Sequence, residues 1–119
     1  LAHAAAERTP PANAPERIEV SHILVRHAEL ERPEGATRSP EDACLRALEA
    51  RAALQGGESW NAAVEQFSDS GVSTHGDLGR ISQQEVTPSF GNAAFSLEVD
   101  ELSYVVESDR GFHIILRTE

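Results

Sequence analysis

Gly111-Phe112-His113-Ile114-Ile115-Leu116-Arg117 is a run of β-branched and aromatic residues opened by a glycine, the composition of a strand, with a histidine in its middle. A second such run, Ser21-His22-Ile23-Leu24-Val25-Arg26-His27, lies toward the other end of the chain. Side chains alternate faces along a strand, so one face of the earlier run reads His22, Leu24, Arg26 and one face of the later run reads His113, Ile115, Arg117. If the two strands pair at the centre of a sheet, two imidazoles meet on one face among apolar neighbours, with an arginine farther along each strand. His27 falls on the opposite face from His22.

Between and around these runs the chain alternates helix and strand signals. The first strand is expected over 18–25, followed by a polar loop over about 28–38. Ser39-Pro40-Glu41-Asp42 is a helix start, with Ser39 as N-cap, Pro40 at the first helical position and acids where the helix dipole favours them. Cys44, Leu45, Leu48 and Ala52 form a stripe at helical spacing, expected to lie on the sheet, and Gly56-Gly57 ends the helix. A second helix starts at Ser59 and gathers Trp60, Ala63, Val64 and Phe67 on one face, with Trp60 read as a core anchor. Residues 78–82 read as a strand, and 88–97 as an amphipathic helix with Phe90, Ala93, Ala94 and Phe95. Residues 102–107 read as one strand, and Ser108-Asp109-Arg110-Gly111 as the hairpin into the last. Strand, helices, strand, helix and hairpin in that order suggest an α+β domain with helices packed around a small, mostly antiparallel sheet.

Residues 1–16 are rich in alanine and proline and read as a flexible linker, leaving 17–119 as one domain. The sequence has no methionine, so more protein is expected before Leu1. The net charge of -10 argues against non-specific binding to nucleic acid or anionic membrane, which needs basic surface. All 10 basic residues are arginine, which excludes lysine chemistry such as a Schiff base or a P-loop. A lone Cys44 excludes an internal disulfide and fits a reducing compartment, and no apolar run approaches a membrane span. The expectation is an intracellular protein, cytoplasmic or nuclear.

By residue type the candidates for chemistry are His22, His113, Ser70 beside Asp69, and Arg26 and Arg32. No nucleophile elbow or oxyanion donor supports a Ser-His-Asp hydrolase. His22, His27, His75 and His113 lack metal-ligand spacing, so no metal is expected. A histidine pair on a buried face can be a hydrogen-bonded core pair or part of a catalytic site.

Five segments carry a resemblance: Ser21 to His27, Phe67-Ser68-Asp69-Ser70, Gly76-Asp77-Leu78-Gly79, Phe90 to Leu97, and Gly111 to Leu116. In this order they resemble the parvulin family of peptidyl-prolyl cis/trans isomerases, closest to its Pin1-like branch, over nearly everything from 18 to 119. The resemblance implies a four-stranded antiparallel sheet surrounded by about four helices. It implies a catalytic set of His22, Ser70, His113 and Ser108, and a proline pocket walled by Leu78, Val86 and Phe90. The substrates implied are proline-containing peptides or proteins, turned over without cofactor by a monomer, with an N-terminal phosphopeptide-binding domain in some relatives.

Two departures bear on mechanism. Ser70 stands where Pin1-like enzymes carry cysteine and other parvulins aspartate. Serine offers hydrogen bonds but no negative charge at neutral pH, so activity is expected to be retained. In the phosphate-capturing loop Arg26 and Arg32 match basic positions, but Glu31 stands where the first of two adjacent arginines belongs. An acid there repels a phosphate dianion, which predicts weak or no phosphoserine/threonine preference; as solvated surface charges, Arg26 and Arg32 contribute little. The alternative reading is a proline-motif docking module that keeps the fold without turnover.

Overall fold

A computed structural model of the chain describes residues 2–3 and 9–119. Its strands are β1 (Ala2–His3), β2 (Ile18–Val25), β3 (Asp77–Ile81), β4 (Glu101–Leu102), β5 (Val106–Ser108) and β6 (Gly111–Arg117). Its α-helices are α1 (Pro40–Gln55), α2 (Trp60–Phe67) and α3 (Pro88–Phe95), with 3-10 turns at Val72–Thr74 and Gln83–Glu85. The two opening runs are the central pair: β2 lies antiparallel to β6 from Val20 opposite Arg117 to Val25 opposite Phe112. β3 pairs with the free side of β2, while β4 and β5 share the far side of β6. The expected α+β fold is therefore present, with three α-helices among the described residues where about four were expected, and with five antiparallel strands rather than four because the edge strand is split into β4 and β5; the two-residue β1 is added in parallel to β4. Residues 9–16 form neither helix nor strand; residue 1 and residues 4–8 of the expected linker lie outside the described residues. No helix among the described residues is long and apolar enough to cross a membrane.

The alternation of β2 and β6 feeds two cores. Ile23, Val25, Phe112, Ile114 and Leu116 pack under α1 and α2, and Ile18, Val20 and Ile115 pack under α3 with Phe90, Ala93, Ala94 and Phe95. His22 and His113 belong to the α3 face, and His27 packs against Phe112 on the other.

The helix starts are as expected: Ser39 accepts from the Asp42 N–H and Ser59 from the Ala62 N–H. The stripe on α1 is not. Ala43, Ala47, Ala50 and Leu54 are buried, whereas Leu45 and Leu48 are 56% and 48% exposed and Ala52 is exposed. Both stripes have helical spacing, and the helix settles on its alanine side, where short side chains let its backbone approach the sheet closely. Cys44 is half-buried at the border of this contact.

The strand expected over 102–107 is broken in two. Buried Ser103 keeps its backbone N–H on the Ile115 carbonyl, but its Oγ takes the Ile115 N–H and donates to the Tyr104 carbonyl. A side chain thus replaces the backbone acceptor of a regular ladder, and the edge strand resumes at Val106.

Candidate active site

A cleft of about 690 Å³ opens on the α3 face of the sheet. Its lining includes all nine residues expected at the site: His22, Ser70, His113, Ser108, Leu78, Val86, Phe90, Arg26 and Arg32. The floor comes from the central strands. His22 and Leu24 lie diagonally from His113 and Ile115 across the β2–β6 register, which brings the two imidazole Nδ1 atoms to 3.0 Å. The rings stack with centroids 5.2 Å apart, and the Phe90 ring meets both edge-on, 5.9 Å from His22 and 5.0 Å from His113. Ser108 Oγ lies 2.6 Å from His113 Nε2 and accepts the Arg110 backbone N–H. The hydroxyl, His113 and His22 therefore form one hydrogen-bonded row. Two neutral rings joined through Nδ1 atoms need one Nδ1–H and one bare Nδ1, so the row carries its protons in either of two matched directions.

Burial holds His22 down to about 4, with the charges of Arg110 and Arg26 adding to it. Burial also takes His113 to about 3, helped by His22 and Arg110. Both rings are neutral at pH 7, which suits a support for a pocket better than a proton donor. In the unfolded chain both return to the ordinary histidine value of 6.5. Below pH 6.5 the unfolded chain thus binds two protons that the fold refuses until about pH 4 and 3. Their contribution to stability is complete above pH 6.5 and is lost as pH falls from there, with a slope approaching about 2.7 kcal/mol per pH unit for two protons. Urea unfolding between pH 7 and 4.5 measures it, and His22→Gln is expected to remove about half the slope. An unchanged slope in that variant assigns the effect to other groups.

The polar wall is built by the segment after α2. Leu24 N–H donates to Ser68 Oγ at 3.1 Å, Asp69 N–H donates to the Leu24 carbonyl at 2.7 Å, and Arg26 N–H donates to Asp69 Oδ2 at 2.8 Å. Arg38 pairs with the same carboxylate at 2.5 Å. Ser68 Oγ donates to the Ser70 carbonyl at 2.8 Å, which fixes the Ser70 backbone beside the end of β2. The Ser70 hydroxyl has no hydrogen-bond partner among the described residues and stands in the cleft wall. The apolar wall is Leu24, Leu78, Ile81, Val86 and Phe90. Gly91 makes room for it, since a Cβ there would stand 3.2 Å from Val86 Cγ2.

The loop side is mixed in charge. Arg26 and Arg32 line the cleft, but so do Glu31 and Glu34, and the Arg26 guanidinium is already hydrogen-bonded to the Asp69 carbonyl. Of the other candidates, His27 is on the far face and His75 sits in an exposed turn whose carbonyl accepts from Trp60 Nε1. Half-buried Trp60 packs against the α1–α2 core and serves as an anchor for that turn. Ile81, Thr87, Asp109 and Arg110 join the cleft without having been proposed as site residues from the sequence. Leu24 joins them on the face where period-two alternation places it beside His22, whereas no local pattern marks Arg110.

An open cleft with an apolar wall, floored by a neutral histidine pair and edged by hydroxyls, is suited to holding an X-Pro amide rather than attacking it, the work of a peptidyl-prolyl cis-trans isomerase. Residues 22–119 match the Rotamase family, the PPIC-type PPIase domain, and the chain belongs to that family as a Pin1-like parvulin. It is 37% identical to the peptidyl-prolyl cis-trans isomerase pin1 of Schizosaccharomyces pombe over 92% of this chain and 66% of that protein. It is 36% identical to pin1 of Rhizopus delemar over 87% of this chain and 73% of that one. The structure of the isomerase ESS1 from Candida albicans superposes with a TM-score of 0.80 at 28% identity, covering 93% of this chain and 67% of that one. The chain thus spans about two thirds of the length of the Schizosaccharomyces and Candida relatives.

Proposed function

We propose that this domain rotates X-Pro bonds without a covalent intermediate and with little preference for phosphoserine or phosphothreonine before proline. The observation that carries this reading is the cleft itself, in which an unbonded Ser70 hydroxyl faces an apolar proline pocket over two neutral imidazoles. The barrier to rotation, roughly 20 kcal/mol, comes from amide resonance. Proline held by Phe90, Val86 and Leu78 leaves water, and the twisted amide, being less polar than the planar one, loses less on desolvation. As the amide twists, the proline nitrogen regains its lone pair and becomes an acceptor for the Ser70 hydroxyl. His22 and His113 act as positioning residues, and Ser108 orients His113. Glu31 and Glu34 beside Arg26 and Arg32 support the weak phosphate preference, since the two acids offset the two cations and leave little net positive field to hold a dianion.

Exchange NMR on paired Glu-Pro and phosphoserine-Pro peptides tests the reading. Exchange between cis and trans is expected on both, with turnover on the phosphopeptide within about threefold of the other, under 1 kcal/mol. Shift changes without exchange would make the domain a docking module, and a large gain on phosphopeptide would overturn the proposed preference.

The setting we propose is a monomer in a reducing intracellular compartment, cytoplasmic or nuclear, acting on proline-containing proteins. The single cysteine and the -10 charge support it. An upstream phosphopeptide-binding domain fits the third of the Schizosaccharomyces and Candida relatives that this chain leaves uncovered.

A further inference from the structure

The cleft holds one cation that the loop does not supply. Arg110 is at the second position of the two-residue turn that closes where Ser108 pairs with Gly111, and it lines the cleft. Its backbone is fixed there, because its N–H donates to Ser108 Oγ, the hydroxyl that contacts His113. The next residue, Gly111, is pressed against the end of β2. A Cβ on it would stand 2.3 Å from the Val25 carbonyl oxygen and 3.3 Å from Arg26 Cα. Arg110 and Arg26 are therefore neighbours at one end of the sheet, one on the hairpin and one where β2 runs into the loop. Their availability differs. The Arg26 guanidinium is committed to the Asp69 carbonyl, whereas that of Arg110 is exposed and has no hydrogen-bond or ion-pair partner among the described residues. The reach of its charge into the site shows in both histidines, which it helps to keep neutral.

We propose that Arg110 is a specificity-determining residue of the cleft, the hairpin cation that favours peptides carrying a carboxylate side chain next to the proline. The inference rests on the isomerase reading above. Asp109, Glu31, Glu34 and Glu85 line the same cleft as Arg26, Arg32 and Arg110, so the preference depends on how close the carboxylate comes to the Arg110 guanidinium. The contact is solvent-facing, so it is worth a moderate factor that weakens with salt.

The test uses four peptides with Ala-Pro-Ala, Glu-Pro-Ala, Ala-Pro-Glu and Lys-Pro-Ala centres, assayed at low and moderate salt with the wild-type chain, Arg110→Gln, Arg110→Glu and Arg110→Lys. The quantity read is the ratio of kcat/KM on each charged peptide to that on Ala-Pro-Ala within one variant, so a general change in turnover cancels. The wild-type chain is expected to favour one of the glutamate peptides about fivefold at low salt and to disfavour Lys-Pro-Ala. Arg110→Gln should bring both ratios near one, Arg110→Glu should invert them, and Arg110→Lys should restore most of the preference. Ratios that are the same in the wild-type chain and Arg110→Gln would overturn the proposal, as would a wild-type chain indifferent to charge. Absence of turnover on all four peptides would instead overturn the isomerase reading.

Discussion

Gly76→Ala is expected to cost about 3–4 kcal/mol of stability, a loss large enough to threaten the fold of a domain this size. Gly76 is buried, has φ +75°, and its carbonyl accepts the N–H of His22 at 2.9 Å. A Cβ on it would stand 2.2 Å from the His22 carbonyl oxygen, 3.2 Å from the carbonyl carbon and 3.3 Å from the nitrogen. These are backbone atoms in the middle of β2, which is paired with β6 along this stretch, so no side chain can swing away to relieve the overlap. The left-handed φ adds about 1–2 kcal/mol for any residue with a Cβ. Gly79→Ala separates the two costs, because Gly79 has φ +71° but nothing within 4 Å of its Cβ position. Urea unfolding should give Gly79→Ala a loss of about 1 kcal/mol and Gly76→Ala at least twice that. Equal losses would show that β2 moves aside at no cost. If β2 shifts under the overlap, His22 moves with it, and the activity of the folded fraction should fall as well.

What the sequence revealed follows the range of the interactions. Period-two alternation placed His22 and His113 on one face because that property is local to each strand, and the caps at Ser39 and Ser59 were legible because each bond spans three residues. The rotation of α1 was not legible. Ala43, Ala47 and Ala50 recur at helical spacing just as Leu45 and Leu48 do, and only the closeness of the sheet decides which stripe is covered. The break at Ser103 was hidden for a similar reason, since its hydroxyl replaces a ladder acceptor for Ile115, twelve residues away. At the site, Ser70 and the loop arginines were candidates by residue type and took their roles from family resemblance, while the bonds tying Ser68 and Asp69 to Leu24 and Arg26 span more than 40 residues. Arg110 was invisible because a turn arginine is ordinary until Gly111 is found pressed against Arg26.

Phe90→Ala should lower kcat/KM by roughly 10- to 100-fold per folded molecule, equivalent to about 1.5–3 kcal/mol of apolar burial around the proline ring. Phe90 is 4% exposed, lines the cleft and sets its ring edge-on to both imidazoles. Truncation opens the pocket to water just where the twisted amide gains from dryness, and it unpins the histidine rings beneath. It also removes core volume, so about 3–5 kcal/mol of stability should go with it. Reduced activity could therefore reflect only an unfolded fraction, and Phe95→Ala is the control for that. Phe95 is on the same helix and 1% exposed, but it packs into the α3 core and does not line the cleft. Its truncation should cost comparable stability and leave kcat/KM per folded molecule within about twofold, a few tenths of a kcal/mol. Phe90→Leu keeps an apolar wall without the aromatic edge and should fall between the two. A Phe90→Ala decrease no larger than that of Phe95→Ala would mean that the proline ring is held elsewhere in the cleft.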